Sequence, residues 1–293
     1  MSFPFAQLLA NSLIIGSVYA LVASGFSLIY SANRFMHFAH GTSVAVSGYI
    51  FYTLLILVET PFVLAAALTV ALAALLGVGM HRLLYKPLKE KNSSSVVLLL
   101  ASIALLILFE NLLLAVYGAS VKSIPAFART ATTLAGASIT WLQLTILAVT
   151  ATLLLTLYLY MNKTRIGRDI RAVADNEELA KIMGVDAQKI KTLTFALGSA
   201  LAGIAGILIG LEQNLTPNMG TDLMIKGFAG AVIGGITSVP ASIAGSYVVG
   251  LAENFGIWWL PSGLKDAITF TLLLLFLIFK PNGLFGVDKG VRK

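Results

Sequence analysis

The sequence contains no cysteine and few charged residues, and both absences exclude whole classes of protein. Without cysteine, the chain cannot form disulfides, thiolate metal sites or a cysteine nucleophile. Only 11% of the 293 residues are charged, too few to cover the surface of a soluble protein of this length. Because 58% of the residues are hydrophobic and the mean hydropathy is +0.90, the composition predicts an all-α, polytopic transmembrane protein.

The motifs of common catalytic sites are also missing from the sequence. The phosphate-binding pattern GxxxxGK[ST] does not occur, and neither does the HExxH of zinc proteases or the G-x-S-x-G of serine hydrolases. The only histidines, His37, His40 and His81, are too scattered for a convincing metal site. We therefore predict no enzymatic activity, no cofactor and no metal, and favour a transporter or a channel.

Apolar segments recur along the whole sequence at the length needed to cross a bilayer. We predict a single membrane domain over 1–293 with about eight or nine spans, of which the seventh is short enough to be re-entrant or broken. The nine segments are 6–31, 38–58, 62–84, 96–117, 140–160, 190–211, 223–238, 241–259 and 266–280.

Basic residues are concentrated in alternate loops, and this asymmetry predicts the orientation of the chain. One set follows the first and third spans, fills the central polar segment and closes the chain: Arg34, Arg82, Lys86, Lys89, Lys91, Lys163, Arg165, Arg168, Arg171, Lys181, Lys189, Lys191, Lys280, Lys289, Arg292 and Lys293. The opposite loops hold only Lys122, Arg129 and Lys265. An odd number of spans then predicts an external N-terminus and a cytoplasmic C-terminus.

A few polar residues lie inside the predicted spans, where a charge costs about 2.5–3.5 kcal/mol even on insertion scales. They are Glu110, Asn111, Lys226, Glu253 and Asn254. Two interpretations stay open for them: structural ion pairs or hydrogen bonds between helices, or positions along a substrate route. His40 and Gly41, at the start of the second span, are further candidates for that route, although a lone histidine there more often bonds to the helix start.

Small residues recur every four positions in the second half of the chain, at Ala202, Gly206 and Gly210 and again at Gly230 and Gly234. This spacing lets helix backbones approach closely in lipid, where packing drives helix association. We predict helix packing at these positions, with a pore-facing role as the alternative.

The longest polar segment, about 162–191, is predicted to be a cytoplasmic loop with a short helix. Asp175 and Glu178 have the spacing of a capping box, and Gly184 supplies a left-handed stop. Three apolar residues form one narrow face of this helix: Leu179, Ile182 and Met183. A helix of about two turns is marginal alone in water, so it needs a partner surface. The alternative is an amphipathic loop on lipid, where three arginines would meet anionic headgroups: Arg165, Arg168 and Arg171.

The segment Glu178-Leu179-Ala180, followed three residues later by Gly184, resembles the EAA-x3-G signature of permease subunits of ABC importers. Leu179 stands where the family usually has alanine, and Thr194 stands where an extended signature has isoleucine. The resemblance implies that this helix sits in a groove of a partner ATPase and passes on its movement. The implied coupling residues are Glu178, Leu179, Ala180, Ile182, Met183 and Gly184.

Other motifs extend the resemblance nearly end to end, to the smaller permease subunit of branched-chain amino acid importers. They are the run from Gly167 to Leu208, Phe38-Ala39-His40-Gly41, the run from Ile233 to Pro240, and the closing run from Lys280 to Gly286. Two departures are His37, where the family has asparagine, and Ala241, where it has glycine after the proline.

This resemblance implies a permease of the bacterial inner membrane that works by alternating access. Its implied partners are a second permease in a heterodimer, two cytoplasmic ATPases and an extracytoplasmic substrate-binding protein. Branched-chain amino acids are the expected substrate. Because close relatives of the family move urea and short amides, these remain the alternative. A stand-alone channel or secondary transporter is the alternative from a different class.

Overall fold

The structure is a computed structural model that describes residues 5–125, 130–134 and 136–285. Within these ranges the chain forms the following helices: α1 (Phe5–Asn33), α2 (His40–Tyr52), α3 (Phe62–Gly79), α4 (Lys86–Glu90), α5 (Ser95–Tyr117), α6 (Trp141–Lys163), α7 (Arg165–Asp175), α8 (Glu177–Ile182), α9 (Ala187–Glu212), α10 (Met219–Gly234), α11 (Val239–Gly256) and α12 (Lys265–Phe279). Strands β1 (Ala131–Leu134) and β2 (Ala137–Thr140) pair antiparallel, with Ala131 opposite Thr140. Two π-helical turns extend α2 and α3, Thr53–Leu57 and Met80–Tyr85, and a 3-10 turn at Ser262–Leu264 precedes α12.

The predicted membrane bundle is confirmed, with a span count at the lower end of the expected range. Seven helical segments of the described residues are long and apolar enough to cross a membrane: Phe5–Asn33, His40–Leu57, Phe62–Glu90, Ser95–Tyr117, Trp141–Lys163, Ala187–Glu212 and Ser262–Phe279. The pair α10 and α11 is bent by 116° at its break and raises the number to eight if it counts as one span. Nine separate spans are therefore too many, because neither helix of this pair passes the test alone.

The pair α10 and α11 is a hairpin in which α11 runs back along α10. Lys226 in the middle of α10 lies 3.4 Å from Glu253 near the end of α11. Further along, a Cβ on Gly230 would collide with Ser246. Next to the turn, a Cβ on Gly234 would collide with the backbone of Ala241. The two helices thus lie antiparallel across the break, and the predicted re-entrant or broken character of the seventh segment is confirmed.

The core of the bundle lies around α1 and α9. In their most apolar windows, 89% of the α1 residues and 72% of the α9 residues are buried, against 17% for α5 and 11% for α12. Helix α1 packs against α6, α9, α10 and α11. The outward faces of α5 and α12 are thus left for lipid or for another membrane subunit.

Helix α9 approaches its neighbours through glycines, as the spacing of small residues predicted. A Cβ on Gly206 would collide with the carbonyl oxygen of Val44 on α2. On the side that faces α1, a Cβ on Gly198 would lie 2.7 Å from Ile29 and 2.9 Å from the carbonyl oxygen of Gly25. Contact at this range is what small residues permit between membrane helices.

The sequence did not predict the β-hairpin or α7 as separate elements. Gln7 at the start of α1 holds the hairpin, since its Nε2 donates to the carbonyl of Ser138 at 3.1 Å and its Oε1 accepts the Ser138 N–H at 2.8 Å. Four-residue strands carry too few residues for a readable alternation. Four of the basic residues used for orientation and one residue of the closing motif lie outside the described residues: Arg129, Lys289, Arg292, Lys293 and Gly286.

Replacement of Gly206 by alanine is expected to destabilise the protein by about 1–3 kcal/mol, because the added methyl group overpacks a contact with backbone that cannot rotate away. Thermal unfolding of the purified protein in detergent measures the effect. The control is Gly79→Ala in α3, where a Cβ meets nothing within 4 Å, and its melting temperature is expected to stay equal or rise slightly. Equal losses in both variants would contradict the packing argument.

Candidate functional site

The polar segment between α6 and α9 folds into two capped helices, α7 and α8. Thr164 caps α7, and its Oγ1 accepts the N–H of Gly167 at 3.0 Å. Asn176 caps α8, and its Oδ1 accepts the N–H of Leu179 at 3.0 Å. The predicted cap at Asp175 is therefore wrong by one residue: Asp175 ends α7. Asparagine and aspartate cap about equally well, so two adjacent candidates could not be ranked from sequence.

Helix α8 ends at the predicted left-handed glycine. Gly184 has φ +85°, and its N–H donates to the carbonyl of Lys181 at 3.0 Å. The N–H of Val185 donates to the carbonyl of Ala180, also at 3.0 Å. This pair of bonds is the Schellman motif, which requires a left-handed residue between the helix and the following chain. The backbone conformation alone calls for glycine here, because a Cβ on Gly184 would meet nothing within 4 Å.

The apolar face of α8 is open to solvent. Leu179 is 56% exposed, Ile182 80% and Met183 77%, and Glu178 is exposed beside them. Ala180 faces the other way, is 4% exposed and packs into the main hydrophobic core. The predicted motif therefore divides between a residue that docks α8 on its own chain and residues that offer an apolar surface. Clustered apolar exposure on a polar surface is typical of an interaction site.

A buried ion pair ties α8 to α9. The Nζ of Lys191 lies 2.5 Å from Oε2 of Glu177, and the Lys191 side chain is only 3% exposed. Lys181 pairs with the other carboxylate oxygen of Glu177 at 2.9 Å. Partial burial acts to raise the pKa of Glu177, but the hydrogen bonds and charges of Lys191 and Lys181 outweigh it and hold that pKa below the usual 4.5. The Glu177 carboxylate is thus ionised at neutral pH, and its contribution to stability is lost only as the pH falls below the usual range of a glutamate.

Sequence reasoning missed this link between Glu177 and Lys191. Both residues were in the predicted polar segment, and Lys191 was counted only as a charge that marks the cytoplasmic side. A lysine buried at the start of a membrane helix requires a partner, and the two glutamates that begin α8, Glu177 and Glu178, were the signal that could have found it.

Other basic residues of this region bind the carboxyl ends of helices. Arg171 donates to the carbonyl of Met161 near the end of α6, and Arg34 donates to the carbonyl of Ala174 near the end of α7. Terminal carbonyls have no partner inside their own helix, so cations there satisfy them and oppose the helix dipole. Arg171 thus has a partner inside the protein, which the predicted contact with lipid headgroups did not anticipate.

Glu253, predicted as a candidate for the substrate route, lies in a buried polar network. It is 1% exposed and accepts hydrogen bonds from Tyr19 at 2.8 Å and Thr269 at 2.5 Å. Lys226 lies 3.4 Å from this carboxylate and 3.1 Å from Asp266. The network joins α1, α10, α11 and α12, which favours the interpretation as a structural ion pair over the substrate route.

The remaining candidates for a substrate route differ in exposure. Glu110 on α5 is half-buried, accepts a hydrogen bond from Thr221 at 3.2 Å and lines a small depression between α2, α5 and α10. His40 is fully buried, with Nε2 3.1 Å from the carbonyl of Val22. Gly41 next to it packs against α10, so Glu110 keeps more access to the surface than His40 and Gly41.

The two asparagines of the predicted route bond within their own helices. Asn111 donates to the carbonyl of Ile107 at 2.8 Å, and Asn254 donates to the carbonyl of Gly250 at 2.9 Å. Asn254 is buried, whereas Asn111 is exposed. Neither amide is held toward Glu110 or Glu253, so the structure does not join the six predicted residues into one site.

Replacement of Glu253 by alanine is expected to destabilise the protein by about 3–5 kcal/mol, because it removes the buried partner of a membrane cation. The control, Asp266→Ala, removes the other partner of Lys226, which has a 69% exposed side chain, and is expected to cost about 0–1 kcal/mol. Thermal unfolding in detergent ranks the two variants. A small loss for Glu253→Ala would show that this carboxylate is not structural.

The packed bundle, the broken hairpin and the anchored polar helix define a polytopic membrane transport protein. The chain belongs to the family described as branched-chain amino acid transport system / permease component, which it matches over residues 8–277. It is 31% identical to the high-affinity branched-chain amino acid transport system permease protein BraD of Pseudomonas aeruginosa, covering 97% of this chain and 96% of the relative.

Two further comparisons extend this result. The high-affinity branched-chain amino acid transport system permease protein LivH of Escherichia coli is 29% identical over 96% of both chains. A solved structure, PsaBC from Streptococcus pneumoniae in complex with Fab, has a TM-score of 0.52, is 16% identical and is matched over 97% of this chain and 95% of its own. At that identity the likeness concerns the fold alone.

Proposed function

We propose that this chain is the permease subunit of an ATP-driven importer and that α8 receives the movement of a partner ATPase. The exposed apolar face of α8 is the observation that carries the proposal. A two-turn helix with such a face needs an occupant, and this one is held on the bundle by a buried ion pair and by Ala180. A helix that only lay on lipid would not need the ion pair and the buried alanine that attach α8 to the bundle.

The orientation that suits this role has an external N-terminus and a cytoplasmic C-terminus. Seven spans and a hairpin that returns to its starting side make an odd number of crossings. The α7 and α8 segment then lies on the same side as Arg34 and Lys89, as the positive-inside rule requires of a cytoplasmic segment. In a bacterial inner membrane this side would face the cytoplasm, where ATP is available to the partner ATPases.

The partners of the proposed importer are a second permease, two cytoplasmic ATPases and an extracytoplasmic binding protein. The sequence carries no nucleotide-binding motif of its own, so ATP hydrolysis belongs to other subunits. The outward faces of α5 and α12 offer membrane surface for the second permease. Glu110, half-buried on α5, would then lie near the joint of the two permeases, where a substrate route passes.

The proposed substrate is a branched-chain amino acid, as in the names of the relatives BraD and LivH. The two buried charged residues of the described part of the chain, Lys191 and Glu253, are both engaged in ion pairs, so no buried charge is left there to hold an amino-acid carboxylate or ammonium. Selectivity is therefore expected to come mainly from the binding protein. Competition between leucine and urea for uptake by the reconstituted complex distinguishes this substrate from the short-amide alternative.

The ion pair between Glu177 and Lys191 is the proposed path of movement from α8 to the membrane. Lys191 lies in the first turns of α9, and α9 is packed on α2 and α1 through Gly206 and Gly198. A displacement of α8 would therefore move a core helix rather than a peripheral one. Alternating access would follow if α9 shifts the two halves of the bundle relative to each other.

Replacement of Gly184 by tryptophan is expected to uncouple ATP hydrolysis from transport while the complex still assembles. The bulky side chain would strain the left-handed backbone and cover part of the proposed ATPase surface. The matched control is Gly118→Trp, since Gly118 has φ +76° and equally open surroundings but follows α5 at the other end of the bundle. Substrate-stimulated ATPase activity and uptake are measured in both. Normal coupling in Gly184→Trp would remove α8 from the mechanism.

Replacement of Lys191 by methionine is expected to lower the amount of substrate moved per ATP hydrolysed, because α8 loses its charged link to α9. The exchanged pair Glu177→Lys with Lys191→Glu is expected to restore part of the coupling. Lys163→Met, at the exposed end of α6, controls for the loss of one positive charge on the same side. If the exchanged pair is as defective as Lys191→Met, the ion pair is not the link.

A further inference from the structure

A basic groove lies beside the first turns of α9, on the side of the bundle formed by α3 and its extension. It encloses about 650 Å³. Its lining residues come from two segments only, the end of the α3 span and the start of α9: Val78, Arg82, Lys86, Asp186, Gln188, Lys189, Thr192, Leu193 and Ala196. Neither the coupling face of α8 nor the candidates for a substrate route belong to it.

The charges of the groove are unbalanced. Three cations line it, against the single carboxylate of Asp186: Arg82, Lys86 and Lys189. Lys189 pairs with Asp186 at 3.1 Å, whereas Lys86 reaches Glu90 only at 3.8 Å. Arg82 is exposed and forms no ion pair within the part of the chain that the structure describes. The groove thus presents a guanidinium and a weakly held ammonium that an anion could bind.

The polarity of the groove changes along the membrane normal. Its cations lie at the polar end, while Val78 lies one helical turn deeper than Arg82, and Ala196 lies about two turns deeper than Lys189. Between these ends, Thr192 closes the inner wall, with its Oγ1 3.1 Å from Nδ1 of His81. A charged rim above an apolar floor is the polarity of a phospholipid, with its phosphate at the surface and its chains below.

The groove also opens toward lipid rather than toward the core. The neighbouring outer face of the α3 span carries exposed leucines, with Leu75 64% and Leu83 83% exposed. Exposed leucines on both sides of Arg82 indicate that this edge of the span meets acyl chains. A soluble partner could reach the cations but not the apolar floor, which continues into the membrane span.

We propose that this groove is a binding site for one anionic phospholipid. Its phosphate would lie between Arg82 and Lys86, with Gln188 and Thr192 as hydrogen-bonding neighbours, and one acyl chain would follow Val78 and Leu193. Basic pockets between membrane helices on the cytoplasmic side are suited to such headgroups. The bound lipid would join the end of the α3 span to the start of α9.

Native mass spectrometry of the delipidated full chain, titrated with phosphatidylglycerol, tests the proposal. We expect one phosphatidylglycerol to bind more tightly than any further copy, and phosphatidylcholine not to replace it. The double variant Arg82→Gln with Lys86→Gln is expected to weaken this site about thirtyfold, from about fivefold per basic residue near a membrane surface. Its conservative counterpart, Arg82→Lys with Lys86→Arg, is expected to retain the site.

The matched control removes the same charge from another exposed part of the same side, by Arg165→Gln with Arg168→Gln. We expect less than about a twofold change in phosphatidylglycerol affinity there, because those arginines line no groove. An equal loss in both double variants would reduce the effect to surface charge and overturn the site. Equal binding of glycerol phosphate and phosphatidylglycerol would also overturn it, since the apolar floor would then contribute nothing. If the groove variant binds lipid normally but no longer retains the ATPase, the groove belongs to a protein partner instead.

Discussion

Close backbone contact between α9 and α2, at Gly206 and Val44, is the constraint on which the rest of the structure depends. Lipid does not drive membrane helices together as water drives a soluble core, so packing and polar contacts must do so. Glycines let α9 reach both α1 and α2 at this range, and α1 in turn contacts α6, α10 and α11. The bundle is therefore stiff at its centre. Any motion introduced at the start of α9 is transmitted to helices that cannot slide past one another freely.

The cations on the side that we propose to be cytoplasmic also make specific contacts that hold helices together. The positive-inside rule treats lysine and arginine as markers of orientation, yet here several are engaged with specific atoms. Arg34 and Arg171 satisfy helix carbonyls, Lys89 donates to the carbonyl of Asn33 at 2.9 Å, and Lys191 neutralises Glu177. Together these contacts connect α1, α6, α7, α8 and α9. The basic residues used to predict the orientation of the chain therefore also hold together helices that would move as a unit.

The sequence was sufficient for those features that local chemistry decides. Hydropathy predicted the spans, the spacing of small residues predicted the packing of α9 and of the α10 and α11 hairpin, and the left-handed requirement of Gly184 predicted the end of α8. What it could not supply depended on residues far apart in the chain. The network of Glu253 with Tyr19, and the pair of Glu177 with Lys191, become visible only when the helices are assembled. Adjacent cap candidates at Asp175 and Asn176 differ by too little energy to be ranked from sequence.

The residues of α8 divide between a buried contact with the rest of the chain and an exposed apolar surface. Ala180 is buried against the rest of the chain, so a larger residue there would displace α8 from the bundle. Ile182 and Met183 are exposed, so their shape can vary as long as they stay apolar. The proposed coupling role needs both properties at once, because a loosely held helix would absorb the motion of a partner and a fully packed one would offer that partner no surface. The Schellman turn at Gly184 completes this arrangement. It reverses the chain within two residues and thus keeps α8 within reach of Lys191.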